Sequence, residues 1–270
     1  MAKRHPPRRA GMRENPEASG REARDKSTAT PGLVWLYGHH TVVAALANPI
    51  RRRRRLVAVA DMAPEIEAQT GIAPEILKRE ALAALLPPDA VHQGVAVAVD
   101  PLPPLDIEDI IEAAETAPSP QIVVLLDQVT DPHNIGAVLR SAAAFGALAV
   151  VVPEHGTPPI TGTLAKAASG AAELVPLVRV VNLVRAMDLL KEGGFWSVGL
   201  DGEADQTLPE LALTGRIVLT LGAEGPGLRR LTRERCDHLA RLPTRGVIRS
   251  LNVSNAAAVA LYELTRNGKP

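Results

Sequence analysis

After Pro118 the chain repeats one pattern: a short, uninterrupted apolar run, then a longer stretch with helical periodicity. The runs are Ile122–Leu126, Ala149–Val152, Trp196–Leu200, Ile217–Leu221 and Leu239–Leu242. Between them lie Asn134–Phe145, Thr163–Ala172, Leu183–Lys191 and Leu228–Cys236. A strand that faces solvent on one side alternates apolar and polar residues, whereas a strand covered on both sides reads as continuous Val, Ile and Leu. Alternation of such runs with helices predicts a largely parallel sheet with helices on both faces.

In an open α/β sheet, ligands gather where strands end and polar turns begin. Two of the apolar runs feed such turns. Ile122–Leu126 continues into Asp127-Gln128-Val129-Thr130-Asp131-Pro132-His133-Asn134-Ile135-Gly136, with Arg140 six positions after Asn134. Ile217–Thr220 continues into Leu221-Gly222-Ala223-Glu224-Gly225-Pro226-Gly227, where three glycines and a proline set a tight loop that lets backbone approach a ligand. A third polar cluster, Ser250-Leu251-Asn252-Val253-Ser254-Asn255, runs straight into the Ala-rich helical pattern Ala256–Leu264. Ser and Asn are common helix caps, so that cluster alone is ambiguous. No G-x-G-x-x-G follows the first strand, and G-x-x-x-x-G-K-[ST] is missing, which sets aside the dinucleotide and P-loop classes.

In order and spacing, these three segments resemble the motifs of the SpoU family, the 2′-O-ribose RNA methyltransferases of the SPOUT class. The resemblance covers roughly Leu36 to Arg266. It is nearest to bacterial enzymes that methylate a guanosine ribose in large-subunit ribosomal RNA. The resemblance implies a SPOUT (α/β knot) catalytic domain with a C-terminal trefoil knot, the chain near Leu242 to Asn252 being threaded through an earlier loop. It implies S-adenosylmethionine bent in that knot against Gly222, Leu242 and Leu251, and a homodimer through the knotted domains in which each site borrows residues from its neighbour. The matching catalytic positions are Asn134, Arg140, Glu224, Ser250 and Asn252. A guanidinium resists deprotonation, with a pKa above about 12, so Arg140 is expected to hold a phosphate or stabilise the alkoxide rather than act as the base. Asn134 is expected to cap the following helix, to hold Arg140 and substrate, or both. Glu224 is expected to orient Arg140 or bind ribose. Ser254 reads as helix wall, His133 as a turn residue and Cys236 as packing. Arg245 and Asn255 depart from the family pattern beside the donor pocket.

The front of the chain has a different texture. Residues 1–31 are polar and unpatterned, with eight basic groups against four acids, and are expected to be a disordered basic tail. From 32 to 100, strand-like runs (Leu56–Ala60, Val95–Val99) alternate with helix-like ones (Thr41–Leu46, Pro74–Leu86), as in a small α/β module. Tyr37-Gly38-His39-His40 and Val91-His92-Gln93-Gly94-Val95 resemble the RNA-binding domain that such enzymes carry. Residues 101–117 read as a linker, Pro-rich at first and ending in a short helix to Thr116; 118–270 is then the methyltransferase domain.

The chain has no net charge, so any grip on RNA must come from local concentration of basic groups. Five consecutive arginines, Arg51 to Arg55, either hold phosphates or form a solvated element end. Aromatics make up only 2% of residues, which argues against base stacking as the main source of affinity. A single cysteine excludes an intrachain disulfide, and no apolar run approaches the roughly 18 residues that span a bilayer. A cytoplasmic protein with no membrane association is expected. Transfer RNA is the alternative substrate; a non-catalytic RNA-binding assembly factor is the alternative of another class.

Overall fold

The computed structural model describes residues 32–246 and 251–266. The expected basic tail, and Ser250 with the segment before it, lie outside those residues.

The front module comprises β1 (Val34–Tyr37), α1 (His39–Ala47), β2 (Arg53–Ala58), α2 (Ala63–Thr70), β3 (Glu75–Ile76), α3 (Arg79–Ala83) and β4 (Val95–Val99). Its sheet runs β1-β4-β2-β3. All five residues of the central β4 are buried, as its unbroken Val/Ala sequence requires. The helix expected over Pro74–Leu86 is instead a two-residue strand followed by one helical turn. Leu77 N–H donates to Ala58 O at 2.9 Å, so pairing with β2 captures the segment before a helix can form.

The larger unit follows: α4 (Ile107–Thr116), β5 (Gln121–Asp127), α5 (Pro132–Ala144), β6 (Ala149–Pro153), α6 (Gly162–Ala167), β7 (Leu177–Val180), α7 (Leu183–Glu192), β8 (Trp196–Leu200), β9 (Arg216–Gly222), α8 (Arg230–Arg235), β10 (His238–Ala240) and α9 (Val253–Thr265). The six strands form one parallel sheet in the order β10-β8-β9-β5-β6-β7. One face packs Val138, Leu139 and Ala142 of α5 and Ala257, Ala260 and Leu261 of α9 against Ile122, Val124 and Leu219. The other packs Ile107 and Ile110 of α4 and Ala186 and Leu190 of α7 against Val123, Leu125 and Val218. Burial of β5 from both sides explains why its sequence is a single apolar run. The start of α4 is fixed by a reciprocal box: the Asp106 carboxylate accepts Asp109 N–H (3.1 Å) and the Asp109 carboxylate accepts Asp106 N–H (2.8 Å).

Two local departures from the sequence reading have physical causes. The helix expected over Thr163–Ala172 stops at Ala167, because Ser169 and Gly170 take left-handed backbone and a short 3₁₀ turn, Ala171–Glu173, follows. Gly170 lies against α1, where an added Cβ would sit 2.7 Å from the Ala44 side chain. The edge strand β7 is not legible in the sequence, because Pro176 precedes it and Arg179 interrupts its apolar character.

The module is joined to the larger unit through α6 and the 3₁₀ turn. Tyr37 and Thr163 hydroxyls meet at 3.1 Å, and Ala165 belongs to the module's own core. At this junction Arg51 grips Glu173 with two bonds (Nε to Oε2, 3.0 Å; Nη2 to Oε1, 2.6 Å), and Asn48 adds a third at 2.8 Å. The two charged side chains are only 4% and 3% exposed. Arg54 pairs with Asp100 (2.6 Å) and Arg55 with Glu75 (2.9 Å). Three of the five consecutive arginines therefore hold carboxylates of this chain.

Candidate active site

The site is built at the carboxyl ends of the central strands. At the end of β5 the chain turns into α5, whose N-cap is Asp131: its carboxylate accepts His133 N–H at 3.0 Å, with Pro132 in the first turn. Asn134 is therefore not the cap, and its amide is free to reach sideways. Its Nδ2 donates to Glu224 Oε1 at 3.3 Å. His133, read from sequence as a turn residue, is instead an exposed residue in the first turn of α5, because Asp131 starts the helix ahead of it.

Glu224 rides on the loop after β9. Gly222 has no room for a side chain, since a Cβ there would sit 2.1 Å from the carbonyl carbon of Gly227. The loop doubles back on itself, with Gly227 N–H donating to Ala223 O at 3.0 Å. Glycine at 222 is what allows that approach.

Asn252 supplies the third piece. As N-cap of α9, its Oδ1 accepts both the Ser254 N–H (2.9 Å) and the Ser254 hydroxyl (2.5 Å). With Oδ1 so occupied, Nδ2 faces the cluster and donates to Glu224 Oε1 (2.5 Å) and Asn134 Oδ1 (3.0 Å). Ser254, read from sequence as helix wall, thus orients the amide. Its spacing two residues past an Asn cap is the signal that could have found it.

Three of the five expected catalytic residues, Asn134, Glu224 and Asn252, are hydrogen-bonded to one another from segments up to 118 residues apart. Arg140 is not among them. It lies six residues further along α5, roughly 9 Å along the helix axis, and is exposed. Ser250 lies outside the described residues.

A cavity of about 460 Å³ opens beside the cluster, walled by the Leu221–Leu228 loop, Leu200–Glu203, Leu242 and Leu251. Gly222, Leu242 and Leu251, the residues expected to hold a donor, all line it. Its lining combines the glycine loop, apolar side chains such as Leu242 and Leu251, and the charged Asp201, Arg233 and Arg241. On its wall, Glu203 N–H (3.0 Å) and then Arg233 (2.8 Å) hold the Asp201 carboxyl below the usual carboxylate range. A second recess of about 430 Å³, lined by Glu203, Arg241 and Arg245, shares Gly202, Leu242 and Thr244 with the first. Burial pushes the Cys236 thiol up to about 12, so it is no nucleophile near neutral pH. Among the described residues, no three His, Cys, Asp or Glu side chains gather in a metal-binding arrangement.

In the front module the two motifs singled out in the sequence meet: His39 N–H donates to Gln93 Oε1 at 3.1 Å. His92 Nδ1 accepts Gly94 N–H at 3.1 Å. Burial, with Arg79 and Lys166 nearby, lowers the His92 pKa. Lys166, from α6, donates to Val91 O.

A parallel α/β sheet with a polar cluster and a cavity at its carboxyl end defines a ligand-binding α/β protein. The chain belongs to the SpoU rRNA methylase family, whose model matches residues 121–262. It is 42% identical to the 23S rRNA (guanosine-2′-O-)-methyltransferase RlmB of Pseudomonas putida, over 87% of this chain and 96% of that protein. It is 48% identical to the Escherichia coli protein of the same name, over 66% of this chain and 72% of that one. Among solved structures it resembles the SpoU methyltransferase AviRb of Streptomyces viridochromogenes in complex with AdoMet (TM-score 0.74, 25% identity, 87% of this chain and 90% of that one).

Proposed function

We propose that this protein is an S-adenosylmethionine-dependent methyltransferase that methylates the ribose 2′-oxygen of a guanosine in large-subunit (23S) ribosomal RNA. The observation that carries the reading is the Asn134–Glu224–Asn252 cluster, assembled from three distant segments on the lip of the cavity. The 23S enzymes at 42% identity, matched over nearly their whole length, support the substrate, and the AdoMet-bound neighbour supports the donor.

The cavity suits such a donor: the loop after β9 offers backbone open to the cavity at Gly225 and Gly227, and Leu242 and Leu251 offer apolar surface. When bound, S-adenosylmethionine supplies an electrophilic methyl carbon on a sulfonium. The chain's part is to hold the ribose oxygen in line with that carbon while the hydroxyl proton passes to the adjacent phosphate or to water. The remaining Asn134 N–H and the second oxygen of Glu224 orient the incoming nucleoside, while the Asn252 amide, fully engaged with Glu224, Asn134 and Ser254, holds the two in place. Arg140, cationic throughout, compensates charge developing on oxygen or holds the adjacent phosphate. Ser250 completes the set.

The same reading includes a trefoil knot near Leu242 to Asn252 and pairing of two such domains into a homodimer, which would bring Arg140 beside a cluster. It includes residues 32–100 as an RNA-binding domain, supported by the meeting of Gly38–His40 with His92–Gly94, and the catalytic domain over 118–270; of the expected linker over 101–117 only the stretch before α4 connects, since Ile107 and Ile110 of α4 pack into the core of the larger unit. A cytoplasmic location goes with a ribosomal substrate; among the described residues, no helix is long and apolar enough to cross a membrane.

The test is transfer of labelled methyl from S-adenosylmethionine to unmodified 23S RNA, followed by mapping of the modified nucleotide. A single ribose-methylated guanosine is expected. Transfer to transfer RNA alone would redirect the substrate, and tight donor binding without transfer to any RNA would favour a scaffold protein.

A further inference from the structure

The active-site cluster accounts for the tips of two loops but not for their roots. The loop leading to Asn134, in the first turn of α5, leaves β5 at Asp127, and the loop bearing Glu224 leaves β9 at Gly222; Asp127 and Gly222 are register partners in the sheet. Asp127 is wholly enclosed, while Arg229, at the far end of the second loop, is 48% exposed. Both carboxylate oxygens of Asp127 are taken by that one residue: Oδ2 accepts Arg229 N–H at 2.9 Å and Oδ1 accepts Arg229 Nε at 2.6 Å. A carboxylate without water is tolerated only when its oxygens are satisfied in this way. Immediately after it, Gln128 takes left-handed backbone (φ 61°), a conformation a non-glycine residue keeps only when its surroundings enforce it.

The two loops thereby form a closed ring. From Asp127 the chain runs to Asn134, crosses by hydrogen bond to Glu224, continues to Arg229 and returns to Asp127 through the buried pair. The bonds at the tip are exposed and compete with water, whereas at the root the Asp127 carboxylate is enclosed and only Arg229 reaches solvent. We propose that Asp127 and Arg229 are positioning residues, which set the separation of Asn134 and Glu224 and the wall of the donor cavity without touching the reacting atoms.

The inference rests on the methyltransferase reading for its kinetic readout. In Asp127→Asn the amide still accepts Arg229 N–H but loses the charge-assisted bond; Arg229→Ala removes the same bond from the exposed side and spares the buried residue. Both variants are expected to lower kcat about 10- to 100-fold, with the KM for RNA within about twofold of wild type, because misplacement near the reacting centre acts on turnover. Donor binding measured by calorimetry should weaken in both, and Arg229→Lys should recover part of each loss. A merely structural pair would lower the melting temperature and leave kcat per folded molecule unchanged. Folded Arg229→Ala with wild-type kcat and donor affinity would overturn the proposal. If the wild type itself transferred no methyl, the functional reading would fall, and donor affinity in Arg229→Ala would still decide this one.

Discussion

Two polar networks tie together distant parts of this chain, and they are built in opposite ways. At the module junction, the Arg51 and Glu173 side chains are enclosed, and the Glu173 carboxylate accepts bonds from Arg51 and from half-buried Asn48. At the candidate active site, Glu224 and Asn252 are exposed, one Glu224 oxygen takes two amides, and among the described residues the other has no such contact. Enclosure makes the first network a fastener, because breaking it strands a charge away from water. Openness makes the second a receptor, because its remaining capacity faces outward. Covalent distance is similar in both, so separation in sequence does not distinguish assembly from chemistry; saturation does.

The largest effect expected from this contrast is at the junction. Arg51→Ala leaves Glu173 buried and unpaired, at a cost of about 3–5 kcal/mol, and should lower the melting temperature by on the order of 10 °C. Replacing both residues with apolar ones of similar volume should recover most of the loss. Calorimetric melts check this, and a melting temperature unchanged in Arg51→Ala would remove the distinction between the two networks.

Arg140→Ala should act on rate alone. It is exposed and outside the cluster, so stability should change by less than about 0.5 kcal/mol, while turnover falls about 100-fold or more if it stabilises charge in the transition state. Donor affinity should stay near wild type. Normal turnover in steady-state assays would remove Arg140 from the chemistry.

Asn252 belongs to both kinds of network, since one end of its amide caps α9 and the other meets Glu224. Asn252→Ala should therefore cost about 1 kcal/mol of stability as a lost cap, visible in denaturant melts, and should lower turnover as well. Asn252→Ser, which can still cap, should restore stability without restoring rate.

The smallest effect concerns His92. Its pKa is lowered in the folded state, chiefly by burial, so below about 6.5 the unfolded chain binds the proton more readily than the folded one. Stability should be level above that pH and fall as pH drops below it. His92→Gln should flatten this part of the profile, and an unchanged slope would show that His92 does not contribute.

Much of the architecture could be read before the structure was known, because strands covered on both faces cannot hide their composition. Ile122–Leu126 and Ile217–Leu221 needed no partner information to be recognised, and both pair centrally in the sheet. Edge elements were less legible. Glu75–Ile76 and Leu177–Val180 carry charge and proline neighbours, and only their hydrogen-bonded partners make them strands. At the site, the three polar segments were visible, but their division of labour was not. Asp131 and Asn134 are both good caps by type, and only geometry shows that Asp131 takes that role. The arginine run stays ambiguous in sequence for a related reason: Glu173, Asp100 and Glu75 lie 20 to 122 residues away, so nothing local signals that Arg51, Arg54 and Arg55 are paired.

The central claim is that the exposed, unsaturated cluster is where methyl transfer is directed. Single-turnover methylation of 23S RNA by Asn134→Ala, with donor saturating, tests it most directly. The account predicts a rate constant about 100-fold or more below wild type, with the melting temperature and donor affinity essentially retained. A rate constant equal to wild type would contradict it.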